Sequence, residues 1–249
     1  MKTVLITGCS SGFGLEIASY FLQRDWQVIA TMRTPRSDLL PASPNLRILP
    51  LDVTSPASIA AAISQAGPID VLVNNAGIGA LAAVEAQPMD QAREIFETNT
   101  LGSIAMTQAV IPQMRQRAAG VIINVTSSVT LRSLPLLAVY TASKAAVNAF
   151  TESVALELAS VGVQARLVLP GRAPHTRFAD NARPRMEGAI PEAYGPLAAQ
   201  VFSNFQDHGQ ITHASDVAQA VWQAATDPAA PMRIAAGEDA REWMRTASA

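Results

Sequence analysis

The amino-terminal stretch restricts the possible folds more than any other, because a short apolar run leads directly into a glycine-rich turn. Residues 3–7 are apolar and partly β-branched, which predicts a buried strand. Residues 8–14 read G-C-S-S-G-F-G, and apolar residues at helical spacing follow them. A strand, a glycine turn and a helix in this order present a helix N-terminus to a phosphate, and glycine lets the backbone approach a pyrophosphate closely. The sequence therefore predicts a nucleotide-binding turn.

Two other interpretations of this turn are open. Residues 8–12 also match G-x-S-x-G, the nucleophile elbow of α/β-hydrolases. That motif needs an acid and then a histidine downstream, and several strands usually precede it, whereas here it would follow the first strand. The histidines available are His175, His208 and His213, and the sequence contains no H-G-G-G oxyanion motif. A turn that binds no ligand is the third interpretation.

The end of the second predicted strand, residues 27–32, bears on the choice of nucleotide. NAD-selective sheets of this kind carry an acidic residue near this point, which binds the ribose 2′-hydroxyl. Here Arg33 follows the strand, Arg36 comes shortly after it, and no acid is adjacent. A guanidinium fits a 2′-phosphate, which a carboxylate would repel. We therefore predict NADP(H) as the cofactor, bound by Arg33 with help from Ser10; a solvated loop role for Arg33 is the alternative.

The third and fourth predicted strands also end in polar residues. Asp52 follows residues 46–51 and could cap the next helix, although Thr54 and Ser55 are better placed to do so. The tetrapeptide N-N-A-G, residues 74–77, follows the strand at 70–73. By itself it predicts a turn, but at the carboxyl end of a parallel strand it lies where such sheets bind ligands.

The remaining periodicity completes an alternating α/β pattern. A long helix is expected over residues 88–116, and Asn99 inside it predicts either a helix irregularity or a function, because asparagine competes for backbone hydrogen bonds. Ser215 or Thr212 is expected to cap the last helix. The other predicted elements are strands at 121–126, 164–169 and 232–235, helices at 138–160 and 215–225, and a short tail. We predict one doubly wound α/β domain with a parallel sheet of about seven strands.

A serine, a tyrosine and a lysine between residues 127 and 144 predict a proton-transfer site. Tyr140 and Lys144 are four residues apart, so a helix would place them on one face. A tyrosine has a pKa of about 10, and a neighbouring ammonium is expected to lower that pKa. Ser127 can offer a hydroxyl to the same volume. A surface helix with a solvated lysine is the alternative for the pair alone.

Taken together, these motifs resemble the short-chain dehydrogenase/reductase family. The resemblance rests on T-G-x-x-x-G-x-G at residues 7–14, N-N-A-G at 74–77, Asn99, Ser127 and Y-x-x-x-K at 140–144, and it runs from residue 3 to about 171. It implies a Rossmann-type fold and NADP(H)-dependent reduction of a ketone or aldehyde, reversible to alcohol oxidation. Within this resemblance Tyr140 is the general acid or base, Lys144 lowers its pKa and holds the nicotinamide ribose, Ser127 binds the substrate oxygen, and Asn99 anchors a water linked to Lys144.

The same resemblance implies a set of cofactor contacts, including the adenine edge for Asp52. Relatives place a threonine soon after P-G at the end of the sixth strand, where it contacts the nicotinamide carboxamide. Here His175 occupies the expected place and Thr176 follows one residue later, so either could make that contact. Besides Tyr140 and Lys144, the implied cofactor residues are Gly8, Ser10, Ser11, Gly12, Phe13, Gly14, Arg33, Asp52, Val53, Asn74, Ala76, Gly77, Pro170, Gly171 and Thr176.

Residues 172–213 predict a substrate-binding loop or lid, because loops of this length are usually functional. The segment is rich in proline and carries apolar residues that favour an apolar or aromatic substrate, with ordinary packing as the alternative. These residues are Phe178, Met186, Ile190, Tyr194, Leu197, Phe202 and Phe205, joined by Leu134, Leu136 and Val139 before the tyrosine.

Composition excludes several other classes. With 49% hydrophobic residues, 15% charged residues and a net charge of −2, the chain can bury a large core and has no basic patch for nucleic acid or an anionic membrane. One cysteine, Cys9, allows no internal disulfide, and no signal peptide, membrane-length apolar run or metal-ligand motif is present. We therefore expect a cytoplasmic protein without metal, and from the family resemblance a homotetramer or homodimer. An NAD-linked alcohol dehydrogenase and a non-catalytic nucleotide sensor are the alternatives.

Overall fold

The computed structural model describes residues 1–206 and 209–247, and a parallel sheet of seven strands lies at the centre of this part of the chain. The strand order is β3-β2-β1-β4-β5-β6-β7, and every neighbouring pair is parallel. The strands are β1 Thr3–Ile6, β2 Gln27–Met32, β3 Leu46–Pro50, β4 Val71–Asn74, β5 Gly120–Val125, β6 Val163–Pro170 and β7 Arg233–Ala236. The doubly wound α/β fold expected from the sequence is therefore confirmed.

Helices cover both faces of the sheet, because its central strands are apolar on both sides. In β1, Val4 and Ile6 pack in one hydrophobic layer with α1 and α8, whereas Leu5 packs in the other with α2, α4 and α5. This alternation follows from the two-residue period of a strand. The helices are α1 Gly12–Leu22, α2 Pro56–Ala66, α3 Met89–Phe96, α4 Gly102–Arg117, α5 Ala138–Ala159, α6 Phe178–Ala182, α7 Gly195–Gln206, α8 Ala214–Thr226 and α9 Glu238–Ala247.

Three expected elements differ from the observed ones. The long helix expected over residues 88–116 is divided into α3 and α4 by a wider π-turn at Glu97–Leu101, so the irregularity expected at Asn99 is present. The segment 172–213 contains α6 and α7 and is more regular than expected; the Phe205 side chain and His208 lie outside the described structure. The prediction of a short tail after the last strand is wrong, because these residues form α9, which contacts the β5–α5 loop and β7.

The caps of two helices show how side chains fix the loops after the strands. Ser55 caps α2 by accepting a hydrogen bond from the Ser58 N–H at 3.3 Å, as expected. The cap expected at Ser215 or Thr212 is wrong: α8 starts after His213, whose N–H donates to the Asp216 carboxylate at 2.8 Å. Among the described residues, no helix is long and apolar enough to cross a membrane.

The strand order reverses between β1 and β4, since β2 and β3 lie on one side of β1 and β5 to β7 on the other side of β4. In open α/β sheets, ligands bind at the carboxyl ends of the strands beside such a reversal. The glycine turn follows β1 and the N-N-A-G segment follows β4, so the topology places both at this point.

Candidate active site

The glycine turn and the loop after β4 are joined by the side chains of Thr7 and Asn75. The Asn75 amide donates to the carbonyl oxygens of Thr7 and Gly8 at 2.9 and 3.2 Å. In return, the Thr7 hydroxyl oxygen accepts hydrogen bonds from the N–H groups of Asn75 and Ala76, both at 2.9 Å. The two loops at the switch point therefore form one connected surface.

Glycine is required in this turn for two separate reasons. Gly8 has φ of +76°, and a Cβ added there would lie 2.9 Å from the Ala76 Cα. Gly14 lies in the first turn of α1, where an added Cβ would overlap the Gly8 carbonyl oxygen and lie 2.6 Å from the Asn75 amide nitrogen. The helix can begin this close to the turn because both positions lack a side chain.

The remaining residues of the turn lie at the start of α1. Ser10 is exposed, and Ser11 takes the N-cap position without a capping hydrogen bond from its side chain. Gly12 opens the helix with φ of +58°, and an added Cβ there would meet Thr176 at 3.5 Å. Phe13 is half-buried against the core. This arrangement brings Thr176 from the lid segment to the turn, although 164 positions separate it from Gly12 in sequence.

The ends of β2 and β3 carry Arg33 and Asp52 at the edge of the same surface. Arg33 is exposed, and Asp52 is half-buried. The Asp52 carboxylate accepts hydrogen bonds from the Thr54 N–H at 2.9 Å and the Thr54 hydroxyl at 2.7 Å, and these bonds lower its pKa, with a smaller contribution from Arg33. The carboxylate is thus held in a turn before α2, while the buried Val53 packs against Gly102.

The two adjacent asparagines of N-N-A-G have different environments. Asn74 is 3% exposed, and its amide donates to the Ser103 carbonyl, the Thr107 hydroxyl and the Asn124 side chain at 3.3, 3.2 and 2.8 Å. The Asn74 side chain therefore joins β4 to β5 and α4 inside the protein, and the cofactor contact expected for this residue stays a prediction. Asn75 was not among the predicted cofactor residues, although it directly follows the last residue of β4 and its side chain is therefore expected to point away from that of Asn74.

Asn99 lies in the π-turn between α3 and α4, and its side chain is buried. Its amide donates to the Ile78 carbonyl at 2.9 Å and to the Ser143 hydroxyl at 3.0 Å, and its oxygen accepts from the Ile78 N–H at 2.8 Å. The Ser143 hydroxyl in turn donates to the Tyr140 carbonyl at 2.7 Å. Asn99 therefore connects the loop after β4 to the first turn of α5.

Ser127, Tyr140 and Lys144 meet beside this asparagine. Ser127 follows β5 and is hydrogen-bonded to the Tyr140 phenol, and both side chains are buried. The Lys144 ammonium donates to the Val125 carbonyl at 3.1 Å. Gly77 lies against the lysine, because an added Cβ there would lie 3.2 Å from both the Lys144 Nζ and the Asn99 Oδ1. The predicted proton-transfer residues are thus within one small volume.

Burial changes the pKa of both ionisable groups in this volume. It raises the pKa of Tyr140 from 10.0 to about 12, although the hydrogen bond from Ser127 acts in the opposite direction. It lowers the pKa of Lys144 from 10.5 to about 8. In the protein alone the effect of burial on the Tyr140 pKa exceeds that of the Ser127 hydrogen bond, and the lowering of this pKa by Lys144 stays a prediction.

The turn after β6 is fixed by α9, which the sequence analysis did not expect. The Asp239 carboxylate accepts from the Arg172 N–H at 2.6 Å and from the Thr212 hydroxyl at 2.7 Å. The Gly171 N–H donates to the Thr212 hydroxyl at 2.9 Å, and an added Cβ at Gly171 would overlap the Asp239 carboxylate. The P-G turn expected to contact the cofactor is therefore held by a buried carboxylate from the C-terminal helix.

His175 and Thr176 face different neighbours. The His175 ring stacks on His213 with centroids 6.1 Å apart and is exposed. Thr176 is half-buried near Gly12, and its hydroxyl donates to the Ala173 carbonyl at 2.9 Å. Of the two residues considered for the carboxamide contact, Thr176 is the one beside the glycine turn.

Comparison with known proteins agrees with this architecture. The family model described as short chain dehydrogenase matches residues 2–187. An uncharacterized oxidoreductase, YusZ from Bacillus subtilis, is 35% identical over 241 residues, which cover 90% of this chain and 85% of that protein. The chain therefore belongs to the short-chain dehydrogenase/reductase family of oxidoreductases.

Two solved structures have the same fold. A short chain dehydrogenase from Burkholderia cenocepacia in complex with NADP matches with a TM-score of 0.80 and 26% identity, covering 100% of this chain and 95% of the other. A short chain dehydrogenase/reductase from Burkholderia phymatum in complex with NAD matches with a TM-score of 0.82 and 25% identity, covering 99% and 92%. Relatives with this fold thus include complexes with either nucleotide.

Proposed function

We propose that this protein reduces the carbonyl group of a ketone or aldehyde with NADPH. The observation that carries the proposal is the buried Tyr140, hydrogen-bonded to Ser127 and placed within one small volume with Lys144 at the switch point of the sheet. When bound, the nicotinamide supplies the hydride that reaches the carbonyl carbon. The protein supplies the proton, the position of the carbonyl oxygen and the exclusion of water.

The residues present fit such a nucleotide. The N-terminus of α1 lies behind a turn in which Gly8 and Gly14 have no room for side chains, as expected where backbone approaches a pyrophosphate. We infer that this turn holds the pyrophosphate and that Gly77, Lys144 and Thr176 face the nicotinamide half. The complex of the B. cenocepacia relative with NADP supports a dinucleotide at this position.

The direction of the Tyr140 pKa shift supports a role for this residue as a proton donor near neutral pH. Because burial raises the Tyr140 pKa to about 12, the phenol is protonated and can donate to the oxygen of a carbonyl as negative charge develops there. We infer that the Ser127 hydroxyl binds the same oxygen. An alcohol dehydrogenase would need Tyr140 as a base, which this burial opposes.

Replacing Tyr140 with phenylalanine tests the assignment, with Tyr20→Phe as the matched control on α1. NADPH consumption with a panel of ketones should fall at least 100-fold in Tyr140→Phe, a loss of the order that general acid catalysis supplies. NADPH binding, measured by fluorescence, should be retained, and Tyr20→Phe should behave as wild type. Turnover in Tyr140→Phe close to wild type would refute the assignment, and a wild-type protein that binds NADPH without reducing any ketone would favour the sensor.

The preference for NADPH over NADH is proposed from Arg33. Its guanidinium is exposed at the end of β2 and close enough to Asp52 to lower the pKa of that carboxyl. Arg33→Asp should weaken NADPH affinity by about tenfold or more while leaving NADH affinity similar or better, as loss of a charged hydrogen-bonded contact implies. Arg36→Asp is the control, because Arg36 is already paired with Asp38 at 2.6 Å. Unchanged NADPH affinity in Arg33→Asp would show that the assignment is wrong.

We also propose that the chain forms a homotetramer or homodimer. Leu156 on α5 and Leu101 in the π-turn are 80% and 48% exposed, and large exposed apolar side chains are typical of contact surfaces. Light scattering after size-exclusion chromatography should give a multiple of 26.3 kDa. A monomer at micromolar concentration would contradict this proposal without affecting the catalytic one.

A further inference from the structure

Phe178 covers the outer side of Tyr140. It is the first residue of α6, in the segment predicted to act as a lid, and its ring centroid lies 5.6 Å from that of Tyr140 with an interplanar angle of 55°. Tyr140 is only 8% exposed, whereas Phe178 is 41% exposed. One side of the Phe178 ring thus shields the tyrosine, and much of the rest of the ring is open to solvent.

The position of this ring is fixed from below by Gly79. A Cβ added at Gly79 would lie 2.5 Å from Phe178 Cζ, 3.0 Å from Phe178 Cε1 and 3.4 Å from Tyr140 Cδ2. The ring therefore rests directly on the backbone of the loop after β4, and any side chain at this position would displace it. Three segments distant in sequence build the contact: that loop, α5 and α6.

The lid segment that carries Phe178 is anchored to two other loops. The Ala82 N–H donates to the Leu136 carbonyl and the Ala83 N–H donates to the Ala189 carbonyl, both at 2.9 Å, so backbone hydrogen bonds join the loops before α3 and α5 to the lid. Leu136 has φ of +62°, a strained conformation for leucine, and its side chain is buried with Ala83 and Ala198. The lid segment is thus held in place by main-chain hydrogen bonds and by a small apolar cluster.

From this geometry we infer that Phe178 determines substrate specificity, by selecting carbonyl compounds with a flat aromatic group next to the carbonyl. The inference rests on the function proposed above. Because the Phe178 ring contacts the Tyr140 ring and is partly exposed, we expect a carbonyl compound bound at the Tyr140 phenol to have a substituent within reach of Phe178. An aromatic substituent can stack there and cover the exposed ring, whereas a short alkyl group leaves it in water.

Substitution of Phe178 tests the inference, with Phe202→Ala as the matched control. Phe202 is on α7 of the same lid segment and is 38% exposed, close to the 41% of Phe178. The ratio of kcat/KM for acetophenone to kcat/KM for butan-2-one should fall about 3- to 10-fold in Phe178→Ala, the range that aromatic pairing supplies. It should stay within twofold of wild type in Phe202→Ala. An unchanged ratio in Phe178→Ala, or an equal fall in both variants, would overturn the inference.

The Gly79 contact supplies a second, independent test through a double-mutant cycle. Gly79→Ala should lower kcat/KM for acetophenone in the wild-type background, because the new methyl group displaces the Phe178 ring. In the Phe178→Ala background the same substitution should have little effect, since the ring it would strike is gone. Equal effects in both backgrounds would show that the two residues act separately and would contradict the proposed role of Phe178.

A binding measurement separates failure of this inference from failure of the proposed function. Saturation-transfer NMR can compare acetophenone and butan-2-one on the NADPH complexes of Tyr140→Phe and Tyr140→Phe/Phe178→Ala, where turnover plays no part. Loss of the acetophenone preference in the double variant supports the inference even if wild-type protein reduces neither ketone. If the preference for acetophenone over butan-2-one is the same in the two variants, the inference is overturned, whatever reaction the enzyme catalyses.

Discussion

Replacing Lys144 with methionine is expected to make the protein more stable at pH 7 and inactive at the same time. Burial lowers the Lys144 pKa from 10.5 to about 8, so the folded protein holds an ammonium in a place that disfavours its charge. At about 1.4 kcal/mol per pH unit this corresponds to roughly 3 kcal/mol. Methionine removes that cost but also leaves the Val125 carbonyl without the hydrogen bond at 3.1 Å, a loss of about 1–2 kcal/mol. The expected net gain is about 1–2 kcal/mol.

The pH dependence of this gain follows from proton linkage. Between pH 8 and 10.5 the unfolded chain keeps the lysine proton while the folded protein releases it, so wild-type stability from this group rises with pH. Below pH 8 both states are protonated and the contribution is constant. The advantage of methionine should therefore shrink as pH rises through this window and become a disadvantage near pH 10.5, where only the lost hydrogen bond remains.

Urea unfolding of wild type, Lys144→Met and Lys2→Met at pH 7 and pH 10 measures the effect. Lys2 is exposed and is the only other lysine in the chain, so its substitution should change stability little at either pH. For the same reason, protein labelled with ¹³C-lysine gives two Cε signals, one of which should titrate near pH 8. The reasoning is refuted if Lys144→Met has the same effect at both pH values, or if neither signal titrates below pH 9.5.

Three further substitutions probe the parts that surround the site. Gly14→Ala should abolish NADPH binding and destabilise the fold by about 1–3 kcal/mol, because its methyl group would overlap the Gly8 carbonyl; fluorescence titration and urea unfolding measure both effects. Glu94→Gln breaks the half-exposed ion pair between Glu94 on α3 and Arg185 of the lid. It should raise KM several-fold with a stability loss below about 1 kcal/mol. An unchanged KM would show that this ion pair does not affect substrate binding. Asp239→Ala should lower the free energy of unfolding by about 2 kcal/mol, because it removes two hydrogen bonds to the loops that Asp239 holds. Asp239→Asn should lower it by less. Equal losses of stability in the two variants would count against the carboxylate contacts.

Local geometry explains which parts of the site could be predicted from the sequence. The spacing of Tyr140 and Lys144 places both residues on one face of α5, because a helix repeats every 3.6 residues wherever it lies. Two of the reasons for glycine in the turn are local as well, because the φ of +76° at Gly8 and the overlap of a Gly14 side chain with the Gly8 carbonyl arise within the strand, turn and helix. The irregularity at Asn99 was also predictable, since asparagine is unfavourable within a helix. Each of these inferences needs only residues within one or two turns of chain.

The features that local patterns did not reveal concern direction and burial, which depend on distant parts of the chain. Asn74 and Asn75 are equivalent in a sequence motif, but a strand turns successive side chains to opposite faces, and only the packed sheet shows which one enters the core. The pKa of Tyr140 depends on the elements that cover it, including Phe178. The C-terminal helix was missed although Glu238 and Asp239 in its first turn are a helix-start signal.

The same burial that raises the Tyr140 pKa and lowers the Lys144 pKa also reverses their order as acids. In water the phenol, with a pKa of 10.0, is a slightly stronger acid than the ammonium, with a pKa of 10.5. In the folded protein burial raises the pKa of the phenol to about 12 and lowers that of the ammonium to about 8, so the ammonium becomes the stronger acid. Because burial disfavours the phenolate, a phenolate left after Tyr140 has donated its proton is expected to be reprotonated readily. Environments that separate the pKa values of neighbouring groups in this way assign their roles, and here they favour Tyr140 as the acid of a reduction.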